Sequence, residues 1–250
     1  MNVDTERLSS LVGAGCALWA GDAGVRVEPG GWSGFSGESA VEYNLALLRQ
    51  PERVEAARDE ILRLGHPAIL MLAGPALGEA QVLIGSSWVC VGSVTLMSRS
   101  LDDLDDVDGG LEARALEPAE WELARAVVSE AFGMPSEMAR LALPDAELSR
   151  PGRDLWGSFT ADGQVAACVG TILIEDAVCL WSVATSPAAQ GQGHGAAVVD
   201  AALRGATGAG SRLAVVQAAA GAVGFYATRG FATAETWQQW SRPRWVLGRA

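Results

Sequence analysis

The chain contains no lysine. All 18 of its basic residues are arginine, set against 30 Asp and Glu, and the formal net charge is −12 over 250 residues. A surface of that sign repels phosphate backbones and anionic bilayers, so nucleic acid and membrane are excluded as expected partners. The two histidines, His66 and His194, cannot build a His-rich metal site. The four cysteines, Cys16, Cys90, Cys168 and Cys179, lack both CxxC and zinc spacing. They read as reduced, mostly buried thiols of a cytoplasmic protein, and no metal is expected. No apolar run approaches the ~20 residues of a membrane span. The opening MNVDTERLSS is neither basic nor apolar, so no secretory signal is expected. The length allows one domain or two, with a sizeable core.

What is present in quantity is glycine, 30 residues, and its placement is informative at one point. Apolar residues 177–185 are followed by Pro187, then by Gln190-Gly191-Gln192-Gly193-His194-Gly195, then by an Ala-rich run. The pattern is strand, glycine-rich loop, helix. Glycines let the backbone approach a ligand closely, and the helix start behind them adds unpaired N–H donors and a positive dipole end. Together these suit a phosphate or pyrophosphate. The spacing is not that of a P-loop, and the alternating glycines do not follow the dinucleotide fingerprint GxGxxG.

Gln-x-x-Gly-x-Gly between a strand and a helix resembles the acyl-CoA pyrophosphate loop of the GNAT superfamily of N-acetyltransferases. The segment Phe225-Tyr226-Ala227-Thr228-Arg229-Gly230-Phe231 resembles a second motif of that family, in the right order. Around these motifs, periodicity predicts strands over 112–115, 154–160, 164–174, 177–185 and 212–217, and helices over 118–132 and 218–228. Asp162-Gly163 is a hairpin turn. The resemblance covers residues 111–245. It implies an α/β (α+β) GNAT fold, a mixed, mostly antiparallel sheet flanked by helices, with acetyl-CoA as cosubstrate.

The segment 101–110, acidic and ended by Gly-Gly, reads as a linker between a domain at 1–100 and the acetyltransferase domain at 111–250. In the first domain, helices are expected over 6–20, 51–64 and 75–84. Strands are expected over 43–48, 67–72 and 88–97, with one short strand in 25–37. This order looks like an abbreviated, degenerate GNAT half. Its loop, Arg49-Gln50-Pro51-Glu52, has no glycine; Pro51 removes a donor, and Glu52 puts a carboxylate where a phosphate would sit. CoA is therefore expected in the second half only.

Carried over residue by residue, the resemblance implies that backbone groups of Val183, Ala184 and Thr185 pair with the pantetheine arm. It places the pyrophosphate on Gln190, Gly191, Gln192, Gly193, His194 and Gly195. It gives Tyr226 the task of protonating the departing sulfur, which suits a phenol that stays protonated near neutrality. Arg229 or Arg204 is a candidate for charge near the nucleotide. His194 is either a phosphate donor or a packing residue at the helix start. Two departures stand out: the loop has no Arg or Lys, and Ala219 stands where the family often has Asn. No general base is evident; Glu130, Glu137 and Asp154 are carboxylates on the substrate side, none of them singled out. The expected partner is a small-molecule amine, with a homodimer left open. The alternatives are a non-catalytic CoA-binding regulator and an acyltransferase acting on a peptide or protein amine.

Overall fold

The computed structural model describes residues 4–102, 104 and 110–246. Most of the acidic stretch expected to be a linker lies outside them. The chain forms two compact units, Met1–Ser98 with Gln217–Ala250, and Arg99–Val216. The boundaries expected from the sequence divide the chain differently, because the last strand pairs with strands of the first 100 residues.

In the first unit, α1 (Thr5–Gly15) starts at Asp4, whose carboxylate accepts from the Glu6 amide. It ends at Cys16, and α2 (Ala17–Ala20) follows, so the single helix expected over 6–20 is broken. Residues 25–37 hold two strands where one was expected, β1 (Val25–Glu28) and β2 (Gly31–Phe35). Then come β3 (Asn44–Leu48), α3 (Val54–Leu64) and β4 (Ile69–Leu72). A 3-10 turn over Gly74–Glu79 replaces the start of the expected third helix, leaving α4 (Ala80–Gly85), and β5 (Val89–Ser100) follows.

Strands β3 and β4 are parallel, joined through α3, and β1–β2–β3 is an antiparallel meander. Under α3 and α4 a core forms from Leu48, Ile61, Leu70, Leu72, Trp88 and Trp240 with their smaller neighbours. β3 and β4 are buried at every position, as strands covered on both faces must be.

The second unit contains β6 (Ala113–Ala115), α5 (Trp121–Phe132), α6 (Ser136–Ala142) and α7 (Asp145–Leu148). It continues with β7 (Arg153–Phe159), β8 (Val165–Ile174), β9 (Ala177–Thr185), α8 (His194–Gly208) and β10 (Leu213–Ala219). β6, β7, β8 and β9 pair antiparallel in that order, and β10 joins β9 in parallel. Alternation sends Cys168 toward α5, where its thiol meets the Ala124 carbonyl. Ser158 and Trp156 face α8 instead. A Cβ on Gly205 of α8 would lie 2.2 Å from the Trp156 ring; only glycine lets helix and strand approach so closely. Trp156 also donates to Thr171 across the β7–β8 pair.

The chain then returns to the first unit. Residues 220–222 form a 3-10 turn, and α9 (Val223–Ala227) is shorter than the helix expected over 218–228. β11 (Ala232–Ser241) and α10 (Pro243–Val246) finish the described chain. β11 lies between β4 and β5, antiparallel to both. Two strands consecutive in the first 100 residues are thus bridged by a strand from the far end of the chain.

Candidate acyl-CoA site

The site begins where β9 stops being regular. Its pairing with β8 shifts register between Cys168 and Gly170, so Ser182 and Val183 both stand opposite Val169. Ser182 takes φ 50 there. This is a β-bulge, which bends a strand and re-aims its groups. The pairing of β9 with β10 runs only as far as Leu180↔Val216 among the described residues. Val183, Ala184 and Thr185 follow beyond that last pair, with β8 on one side only. Backbone donors and acceptors outside a ladder need other partners.

After β9 comes a 3-10 turn, Pro187–Ala189, and then the loop. Gly191 and Gly193 take φ 75 and φ 93, a region that L side chains rarely adopt. Space is not the constraint: a Cβ on Gly191 would meet nothing within 4 Å, and one on Gly193 only Leu111 at 3.4 Å. Gly193 caps α8 without any side-chain hydrogen bond. The first bond of the helix runs from the Ala197 amide to the Gly193 carbonyl. The amides of His194, Gly195 and Ala196 therefore have no acceptor within the helix. They sit at its positive end, behind exposed glycines. Gln192 donates to the Ala188 carbonyl at 2.8 Å and braces the turn, while Gln190 is exposed.

The His194 ring turns into the second unit. Its side chain is only 5% exposed. Ring Nδ1 lies 2.9 Å from Ser158 Oγ, which donates in turn to the Glu112 carbonyl at 3.1 Å. With its only proton so used, Ser158 accepts from Nδ1–H. The ring ties the start of α8 to β7, and its Nδ1–H is engaged by Ser158. Ser158 was not apparent from the sequence; alternation puts it on the helix-facing side of β7, but its partner is 36 residues away.

Tyr226 lies in α9, within the segment grouped with the first unit. It is buried between Phe225 and Phe231, with ring centroids at 5.1 and 5.4 Å. Burial raises its pKa above the ordinary tyrosine value, against a smaller opposing effect of the Arg229 charge. The phenol is thus held in its proton-donating form. Arg229 stacks over the Phe225 ring at 4.1 Å and donates to the Phe225 carbonyl and to Thr228. These contacts hold it at the end of its own helix. The Cys168 and Cys179 thiols are each pushed up to about 12 by burial and are poor nucleophiles.

In the first unit the corresponding turn is built differently. Pro51–Arg53 is a 3-10 turn leading into α3. Arg49 forms an ion pair with Glu235, which also accepts from the Trp237 indole. Arg53 pairs with Glu28 at 2.6 Å. Side chains and a proline occupy the position that glycine amides hold before α8. No group of three or more metal-binding side chains occurs among the described residues, and none of their helices is long and apolar enough to cross a membrane.

Residues 119–231 match the model of the acetyltransferase (GNAT) family. This segment is a GNAT domain. Among solved structures, a GCN5-related N-acetyltransferase from Kribbella flavida is similar over 97% of this chain and 97% of its own, with a TM-score of 0.68 at 19% identity. A GCN5-related N-acetyltransferase from Sphaerobacter thermophilus is similar over 85% of this chain and 76% of its own (TM-score 0.58, 16% identity). A tandem GNAT protein from the clavulanic acid biosynthesis pathway covers 84% of this chain and 78% of its own (TM-score 0.53, 14% identity). At these identities the likeness concerns the fold, and it extends through the first half of the chain. No curated protein matches the sequence. Family and fold together support acetyl transfer as the general class of reaction.

Proposed function

We propose that this chain transfers the acetyl group of acetyl-CoA to the primary amine of a small molecule. The observation that carries the proposal is the group of amides at His194, Gly195 and Ala196, left without helical acceptors behind two positive-φ glycines. This is what a pyrophosphate requires, and it falls inside the GNAT match. The backbone beyond the last β9–β10 pair would take the amides of the pantetheine arm.

In the reaction, the amine nitrogen bonds to the thioester carbonyl carbon. The C–S bond then breaks, the nitrogen loses a proton, and the sulfur gains one. Tyr226 is the proposed source of the sulfur's proton, since burial keeps its phenol protonated. The net charge of −12 supports a neutral or cationic acceptor.

The test is thiol release from acetyl-CoA with a panel of amines differing in charge, at low and high salt. Small neutral or cationic amines should react, the rate rising with pH until the amine is deprotonated. The apparent KM of cationic acceptors should rise with salt. Preference for polyanionic acceptors would refute the charge argument, and preference for peptide amines would refute the small-molecule assignment. CoA binding without turnover of any amine would leave a regulatory protein instead of an enzyme.

A further inference from the structure

The first unit contains a cavity of about 410 Å³, distant in sequence from every residue of the CoA loop. One wall is a grid on the face of the β1–β2–β3 sheet. Register aligns Arg26 with Ser33 and Ala46 in one row, and Glu28 with Gly31 and Leu48 in the next. The other wall is α3, through Ala57, Ile61 and Leu64. The cavity exists because its centre is lined by small residues from both sides, Gly31, Ser33, Ala46 and Ala57. The second unit fills the comparable face under α8 with the Trp156 ring, packed on Gly205. The floor here is apolar, and Leu64 at its edge is 48% exposed. The volume falls within the ~300–1,000 Å³ of small-molecule sites.

The mouth has a specific charge pattern. Arg26 of β1 faces Glu60 of α3 at 3.9 Å, and Glu28 of β1 faces Arg53, just before α3, at 2.6 Å. Arg53 is held further by the Pro29 carbonyl at 3.1 Å. The Arg26–Glu60 pair is the looser one; its side chains are 75% and 51% exposed, and such a pair contributes about 0–1 kcal/mol. Separating it therefore costs little. A ligand with one charge would engage one member and leave the other to water, whereas a ligand with both charges would engage both.

We propose that this cavity binds a small zwitterion with an apolar body, of the class of an apolar α-amino acid, its ammonium on Glu60 and its carboxylate on Arg26. The apolar body lies on Ala46, Leu48 and Ile61. The site takes no part in acetyl transfer and is independent of the function proposed above.

Calorimetric titration of the full chain, without acetyl-CoA, tests this with three ligands that share one body: L-phenylalanine, phenethylamine and 3-phenylpropionate. One L-phenylalanine should bind per chain, about three- to fivefold tighter than either singly charged analogue, since one added exposed charge contact is worth up to about 1 kcal/mol. Arg26→Ala should remove that advantage. Ala57→Phe and Ser33→Leu, which fill the cavity from opposite walls, should each abolish binding, while CoA protects both variants from heat as it does the parent. Equal affinity for the three ligands, no binding of L-phenylalanine, or binding that survives both cavity-filling variants would overturn the proposal.

Discussion

Glutamate in place of Ala196 tests the CoA loop through two readouts that move in opposite directions. Ala196 is the third residue of α8 and partly exposed. A carboxylate in the first turn faces the positive end of the helix, worth about 0.3–1 kcal/mol. From this position it also reaches back toward the Gly193 amide, as in a capping box. The lower helix propensity of Glu offsets only a few tenths of that. The unliganded Ala196→Glu protein should therefore melt at the parent temperature or slightly above. The same carboxylate competes with the pyrophosphate for these amides and repels its charges. Near 4 Å, a pair of unit charges costs about 1 kcal/mol in water and about 4 kcal/mol at a dielectric of 20. For an exposed loop and two phosphate charges the first figure applies, giving about 2–3 kcal/mol, or roughly 30- to 160-fold weaker CoA binding. The assay is thermal unfolding with and without CoA. At 100 times the parent Kd, CoA stabilises the parent by about 2.7 kcal/mol, and a 50-fold weaker variant by only about 0.6. A variant with the parental CoA-induced shift would refute the placement of the pyrophosphate. Alanine at Gly193 is the less informative choice, since at φ 93 it adds about 1–2 kcal/mol of backbone strain and confuses folding with binding.

Three further outcomes are expected. Tyr226→Phe should lower kcat by about 10²–10⁴-fold with little change in the Kd of acetyl-CoA; full turnover where chemistry limits the rate would reduce Tyr226 to a packing residue. Trp237→Ala should destabilise the first unit by about 3–5 kcal/mol in urea unfolding, because this fully buried side chain of β11 packs edge-on against Trp32 at 6.1 Å; a loss under about 1 kcal/mol would contradict a core role for β11. Below neutrality, the Arg114 guanidinium holds Glu120 at about 2, against an ordinary value of 4.5. A depressed carboxyl stabilises the fold above its unfolded value and loses that contribution as pH falls from about 5 toward 2. Glu120→Gln should thus flatten stability across that window, by about 1 kcal/mol for so exposed a pair; an unchanged slope would refute the link.

Much of the second unit was legible because its signals are local. Asp162-Gly163 marks the hairpin between β7 and β8, and the apolar run at 177–185 and the glycines at 191 and 193 announce strand, turn and helix within twenty residues. α5 and its preceding 3-10 turn, Pro118–Glu120, span the residues expected, since Glu117 and Glu120 form a capping box that short-range chemistry specifies. What was not legible depends on partners far away in the chain. The strand at 232–241 is not among those expected, because its buried positions 237, 240 and 241 do not alternate, and nothing local says that it inserts between β4 and β5, 134 to 170 residues earlier. The inward turn of His194 depends on Ser158, and the cavity on four small residues in three elements. Arg49 joins the two cases. The missing glycine in its loop is a local signal and argues against a phosphate there. Its carboxylate partner, Glu235, comes from β11, 186 residues on. The ion pair and the indole of Trp237 hold the turn where an anion would otherwise need free amides. The turn of the first half is thus closed by the same late strand that completes its sheet, and the two departures from a CoA-binding half, in loop chemistry and in strand pairing, meet at Glu235.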